Sequence, residues 1–355
     1  MLVTGNYPHN FSPVQKKNAK NKGSICIQDN YPAYKSLYTD IRMNKNNAGV
    51  FFTGLQYTEP VEFPDPVNKT GNYQCDTFFF RDIDTLNVMK DYLQEHFPEG
   101  THIADFGCSN GEETRTIAML LSDINQDNKY TITGYDTSMN NIDDADEGFY
   151  HIGLNFDRFL NQPEDKLPKE IQGVKKLFDE HFIRRPDMDE MGEKCFEANE
   201  DKFGCLNYFT GGNISDVDKL LEEHEKDDGK KTGVVVFKNG WYHLTQSKPG
   251  DTYLPKEYDD LSDLKTVLRK INKALPENGI LVTGSLPRDH IIGEDAYHYD
   301  EVTLENSPFH KALKECGFEP VKESAIRVPP QPSAMEFILY KNTKVYSIWK
   351  KASSA

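Results

Sequence analysis

Apolar and polar positions divide the chain near residue 77. Residues 1–70 keep neither a helical nor a strand period. Asn, Pro, Gly and Tyr dominate there, interrupted by short apolar groups such as Val50, Phe51 and Phe52. This predicts an irregular N-terminal extension. Beyond it the periods sharpen. Leu86, Met89, Leu93 and Phe97 recur on one helical face until Pro98 and Gly100 end the pattern. His102–Phe106 is an apolar run that predicts a strand, and a helix follows from Glu112 through Leu121. Residues 130–135 predict the next strand, which ends on Asp136.

Residues 143–204 form an acidic insertion in which Ile171, Val174, Leu177, Phe178 and Phe182 share a helical face. Residues 206–210 predict a third strand, running into Gly211, Gly212, Asn213 and Ile214, with Ser215 or Asp216 as the cap of a helix over 217–224. Residues 233–237 are apolar on both faces, as a central parallel strand should be. Leu261, Leu264, Leu268, Ile271 and Leu275 mark another helix, and 280–284 a fifth strand. Phe309, Ala312, Leu313 and Cys316 mark a last helix, stopped by Gly317. Residues 318–324 and 334–341 predict two closing strands around a proline-rich turn. Strand and helix thus alternate as in a doubly wound, Rossmann-like α/β domain over 71–345 with seven strands, followed by a tail over 346–355.

The turn after the first strand carries the candidate chemistry. It reads Asp105, Phe106, Gly107, Cys108, Ser109, Asn110, Gly111, Glu112, Glu113. Gly107 permits a positive φ, and Gly111 would let a ligand approach the backbone where a Cβ would block it. Unpaired N–H groups at the helix start face that ligand. Asp136, at the tip of the second strand, is placed to hold a ribose hydroxyl pair. The dinucleotide pattern G-x-G-x-x-G is absent, and a carboxylate stands before the first glycine. Asp105 there repels a pyrophosphate but suits a ligand bearing an ammonium and a sulfonium, as S-adenosylmethionine does. The bland alternative is a glycine turn in an ordinary βαβ unit. The predicted closing strand pair favours a class I methyltransferase over a dehydrogenase.

Composition narrows the partners. The formal charge of −16 repels nucleic-acid phosphates. Lys16, Lys17, Lys20 and Lys22 form a basic cluster, in an Asn- and Lys-rich stretch that reads as a solvated arm. The six cysteines show no C-x-x-C pair, which fits reduced thiols and a cytoplasmic protein. No window has the apolar length of a membrane span, and the first residues do not read as a secretory signal.

Thr77, Phe78, Phe79, Phe80 and Arg81, followed by Gly107 to Glu113 with Ile117, Ala118 and Met119, resemble the chemotaxis receptor methyltransferases of the CheR type. These carry T-x-F-F-R and C-S-x-G-E-E-x-x-S-I-A-M. Gly134 to Ser138, the G-x-Y at Gly148, Phe149 and Tyr150, and Asn213 with Ile214 extend the resemblance. It implies a class I sheet, S-adenosylmethionine as cofactor, and a methyl acceptor as partner. By that resemblance Arg81 reaches the cofactor's carboxylate with Thr77 beside it. Glu112 approaches its amino group, Asp136 the ribose, and Asn213 and Ile214 flank the adenine. The bland alternatives are a surface ion pair for Arg81 and a polar strand end for Asn213.

This chain departs from the family at the fourth strand, where C-R-N-x-x-I-Y-F becomes Phe237, Lys238, Asn239, Gly240, Trp241, Tyr242, His243, Leu244. Lys238 stands for Arg at a cofactor-side position and loses a planar fork. His243 falls where the family has the Tyr near the transferring methyl, with Tyr242 one place earlier. By the resemblance a protein carboxylate is the expected acceptor, and being ionised near neutral pH it needs no base. His243 could take a proton from an amine or hydroxyl, or be a packed strand-end histidine. Trp241 and Tyr242 could line the methyl channel. A small-molecule acceptor and a non-catalytic cofactor-binding module are the alternatives.

Overall fold

The structure is a computed structural model. It describes residues 79–153, 156–157, 160–161, 163, 172–190, 192–238, 240–241, 244, 246–247, 254–255, 261–284, 308–327 and 344–353. Helix α1 (Ile83–His96) leads into β1 (His102–Phe106), the glycine turn and α2 (Glu112–Leu121). Then follow β2 (Thr131–Asp136), α3 (Met139–Glu147) and β3 (Phe149–Ile152). The insertion continues with α4 (Val174–His181), β4 (Phe182–Arg184) and β5 (Lys194–Ala198). The chain returns through β6 (Leu206–Gly211), α5 (Val217–Asp228) and β7 (Thr232–Val236). A two-residue pair, β8 (Gln246–Ser247) and β9 (Leu254–Pro255), precedes α6 (Ser262–Ala274) and β10 (Ile280–Val282). Last come α7 (Pro308–Glu315), β11 (Phe318–Pro320), β12 (Ala325–Arg327), β13 (Lys344–Tyr346) and β14 (Ile348–Lys351).

Seven strands form the main sheet in the order β11-β14-β10-β7-β1-β2-β6. β6, β2, β1, β7 and β10 run parallel. β14 is antiparallel to both β10 and β11. This is the doubly wound order with one reversed strand inserted near an edge, the seven-stranded sheet expected of a class I methyltransferase. Alternation along the central strands buries both faces. Ile103, Ile132, Val234, Val236, Ile280 and Val282 pack with Leu86, Met89, Leu93, Ile117 and Leu121, so α1 and α2 cover one face. Ala104, Phe106, Tyr135, Val235 and Leu281 pack with Val217, Leu221, Leu264, Leu268, Ile271, Phe309 and Leu313, so α5, α6 and α7 cover the other.

Two expectations about the chain's later part change. The strand that completes the sheet is β14, inside the segment read as a tail. Ile348 and Trp349 are fully buried, and Leu281 pairs with Trp349. Residues 334–341, expected to close the sheet, lie outside the described residues, as do residues 1–70. The helix read over 171–182 is α4, and Phe182 already belongs to β4. The insertion is not merely acidic: β3, β5 and β4 form a three-stranded antiparallel sheet. Its aromatic core reaches the T-x-F-F-R string. The Phe79 ring lies 4.9 Å from Tyr150, 5.4 Å from Phe178 and 5.0 Å from Phe182.

Candidate functional site

The chain order reverses between β1 and β7. β2 and β6 continue one way from β1, and β7 and β10 the other. Such a switch point opens a crevice at the carboxyl ends of the strands. The glycine turn starts there. Gly107, Ser109 and Gly111 have φ of 73°, 52° and 86°, so the loop bends at alternate residues. The N–H groups of Gly107 and Cys108 both donate to the Tyr135 carbonyl, at 2.7 and 3.1 Å. The N–H of Ser109 donates to Asp136 Oδ2 at 2.9 Å, and that of Ser138 to Asp136 Oδ1 at 2.8 Å. Asp136 therefore stands beside the glycine loop and holds it from the tip of β2.

Packing gives Gly111 a further reason. A Cβ on it would lie 2.7 Å from the Phe209 ring and 3.0 Å from Ala145. The same ring closes on Gly134, at 2.5 Å from where its Cβ would be. Phe209, Cys108, Ile142 and Ala145 thus fill the underside of the loop, and glycine is required there by packing as well as by φ.

The turn that carries Arg81 is held between α2 and the end of β7. Arg81 sits between two non-glycine residues with positive φ, Phe80 at 59° and Asp82 at 53°. Such backbone is strained by about 1–3 kcal/mol per residue and persists only where surrounding contacts fix it. The contacts are specific. The Phe80 N–H donates to Thr116 Oγ1 at 3.0 Å, and Thr116 donates to the Glu112 carbonyl at 2.8 Å. Lys238 Nζ donates to the Arg81 carbonyl at 3.0 Å.

Lys238 is closed off from water. Its ammonium lies 2.9 Å from Glu113 Oε2 and 3.6 Å from Asp82 Oδ2, and both carboxylates are buried. Gly284, after β10, makes room for it: a Cβ there would lie 2.8 Å from Lys238 Cγ. Lys238 therefore supports the Arg81 turn from behind instead of facing a cofactor. Asp105 is also set back. It is fully buried and accepts a hydrogen bond from Thr114 Oγ1 at 2.6 Å. Burial, and then the Glu113 carboxyl beside it, pushes Asp105 well above the usual carboxylate range. Buried and bonded to Thr114, Asp105 braces the start of α2 from inside the fold.

Asn213 is exposed, and its Oδ1 accepts the Ser215 N–H at 2.9 Å, so it caps the short turn before α5 itself. Ile214 is buried against the second core face, where it packs in one cluster with Tyr135. Trp241 does not line a channel: it is buried between Phe237 and Phe309, at ring distances of 4.6 and 5.1 Å. Thr77, Tyr242 and His243 lie outside the described residues. Asp82, Glu113 and Thr114 were not singled out by the sequence. The one sequence signal concerns Glu113: adjacent to Glu112 in a helix's first turn, it points in a different direction.

Residues 75–153 match the CheR methyltransferase SAM-binding domain family. The cofactor of this chain is S-adenosylmethionine. No curated protein matches the chain. Among solved structures it is similar to the carbon methyltransferase of CurJ, at 15% identity over 76% of this chain and 54% of that one, with a TM-score of 0.37. It is also similar to a TehB-like SAM-dependent methyltransferase from Corynebacterium glutamicum, at 14% identity over 74% of this chain and 84% of that one, with a TM-score of 0.33. The chain thus spans about half the length of the CurJ structure. Among the described residues no helix is long and apolar enough to cross a membrane.

Proposed function

We propose that this protein transfers a methyl group from S-adenosylmethionine to a carboxylate of another protein, by in-line displacement. The observation that supports the reading is that the glycine loop after β1 is held by Asp136 at the tip of β2, while the Arg81 turn is held by Lys238 just after β7, the neighbour of β1 on the other side.

The residues present suit that cofactor. Each Asp136 oxygen accepts one backbone N–H and keeps a further lone pair for a ribose hydroxyl. Arg81, held by its own backbone, offers a planar fork to the cofactor's carboxylate, with Thr77 beside it. Glu112, in the first turn of α2, meets the amino group. Asn213 spends its oxygen as a cap, so its amide nitrogen is the group offered to the adenine, with Ile214 behind it. Gly107 and Gly111 shape the loop. Lys238 and Asp105 act from behind it.

When bound, S-adenosylmethionine supplies the electrophilic methyl. The protein's part is alignment and exclusion of water. An ionised carboxylate acceptor needs no base. Tyr242 and His243 are proposed to border the acceptor, and His243 would matter as a proton acceptor only for an amine or hydroxyl.

Two measurements test this. Isothermal titration with S-adenosylmethionine should show saturable binding, and its absence at high micromolar concentration rejects the cofactor reading. Incubation with methyl-labelled cofactor and a cell lysate should put base-labile label in protein. Label confined to small molecules would replace the protein carboxylate with a metabolite acceptor.

A further inference from the structure

Tyr150 belongs to the inserted sheet, yet its hydroxyl ends at the glycine loop. It donates to the Asn110 carbonyl at 3.0 Å and accepts from Arg115 Nε at 2.8 Å. Arg115 projects from α2. Its Nη2 donates to the Ala145 carbonyl at 3.0 Å and to Glu200 Oε1 at 2.8 Å. The guanidinium carbon lies 4.9 Å from the Phe203 ring and 5.4 Å from that of Phe209, within cation–π reach of both. Arg115 and Tyr150 are both about as buried as side chains become, at 1% and 2% exposure.

The location of this network gives it a role. The peptide between Asn110 and Gly111 leads into a glycine at φ 86°, where no Cβ resists its rotation. One end of that peptide is held by the Gly111 N–H donating to the Cys108 carbonyl at 2.9 Å. The other end, the Asn110 carbonyl, is held by Tyr150. A glycine peptide can flip at small steric cost, so its direction is set by its hydrogen bonds. Packing alone does not account for the arginine. A buried guanidinium is poor value for stability compared with an apolar side chain, and among the described residues Arg115 Nη1 finds no hydrogen-bond partner.

We infer that Tyr150 and Arg115 are positioning residues, a hydrogen-bonded strut by which the inserted sheet sets the direction of the Asn110–Gly111 peptide in the cofactor loop. The inference rests on the cofactor reading above for its functional consequence, and on the geometry of the ligand-free protein for its structural one.

The test uses the full chain and Tyr150→Phe, which removes one oxygen and keeps the ring. Hydrogen exchange at the amides of residues 107–111 is read without cofactor, and the Kd for S-adenosylmethionine by titration. Both should change about tenfold, the factor one net hydrogen bond is worth. Leu313→Ala, a core change in α7 on the other face of the main sheet, is the control. It should lower Tm and leave loop exchange and Kd within twofold. Loop exchange unchanged in Tyr150→Phe, or a control that reproduces its effects, overturns the strut. If Tyr150→Phe does not fold, Glu200→Gln takes its place, since that side chain is largely exposed. It should speed loop exchange in the same direction, and no change there overturns the inference. Wild-type protein that binds no cofactor rejects the proposed function, while the exchange measurement still decides the strut.

Discussion

Lys238 and Glu113 meet 2.9 Å apart with neither side chain open to water, and the same ammonium holds the Arg81 carbonyl. A strand end, a helix start and the F-F-R turn are thereby joined at one nitrogen. Breaking a buried ion pair leaves its partner charge stranded, which costs about 3–5 kcal/mol. Lys238→Met should therefore lower the unfolding free energy by about that amount, measured by urea titration. Lys238→Arg, which restores charge without fitting beside Gly284, should recover only part of it. A Met variant within about 0.5 kcal/mol of wild type would show that the pair is not what holds the turn.

Asp105 gives a prediction with a defined sign. In the fold its carboxyl is held well above its ordinary value of 3.8, chiefly by burial and then by Glu113. As pH rises above that ordinary value, the unfolded chain releases this proton and the fold retains it. Stability contributed by this group is present at low pH and is lost as pH rises toward the folded pKa. Asp105→Asn removes the penalty while keeping an acceptor for Thr114. The variant should gain on wild type between pH 4 and pH 8, measured as urea midpoints. A variant that loses ground over that interval would mean Asp105 is ionised in the fold.

The opposite slope comes from the far end of β1. The His102 and His224 rings stack at 3.4 Å, and His102 lies between Thr232 and Thr133 oxygens at 2.7 and 3.1 Å. Burial, then His224 and Lys230, lowers His102 to about 2. His224 is also lowered, by burial, against the opposing pull of Asp228 and Asp227 and with Lys230 adding to the shift. Both histidines are neutral in the fold, so their contribution is full above the unfolded value of 6.5 and falls as pH drops below it. His224→Phe keeps a stacking ring and removes one titration. Its loss of stability from pH 7 to pH 5 should be smaller than that of wild type in the same urea series.

Gly111→Ala tests the underside of the glycine loop. The new methyl meets a φ of 86° and the Phe209 ring at 2.7 Å. Backbone strain and overpacking together should cost about 2–4 kcal/mol. Adding Phe209→Leu should recover part of the loss if the ring is the obstacle, and a simple sum of the two losses would show that it is not.

The parts of the fold that were readable in the sequence are those with a local signature. β1, the start of α2 and β2 combine an apolar run, a glycine turn and a helical period, and their bounds fall where expected. β7 was legible because Val234, Val235 and Val236 are apolar on both faces. β14 was not, since Ile348, Trp349, Lys350 and Lys351 show two apolar residues and two lysines with no turn signal to frame them. β3 and β5 are short and show no clean alternation of polar and apolar positions that would separate strand from loop. In the site, the sequence suggested which residues gather but not which way they face. Lys238 reads as a strand-end cation, and only tertiary contacts with Asp82 and Glu113 turn it inward.

The reversed strand has a consequence for the order of assembly. β14 follows every other strand of the main sheet in the chain, yet it lies between β10 and β11. During synthesis, β10 and β11 therefore remain unjoined, with open hydrogen-bonding edges, until residues 348–351 leave the ribosome. A nascent chain arrested before that point should be protease-sensitive around β11 while the β1–β2 half is already resistant.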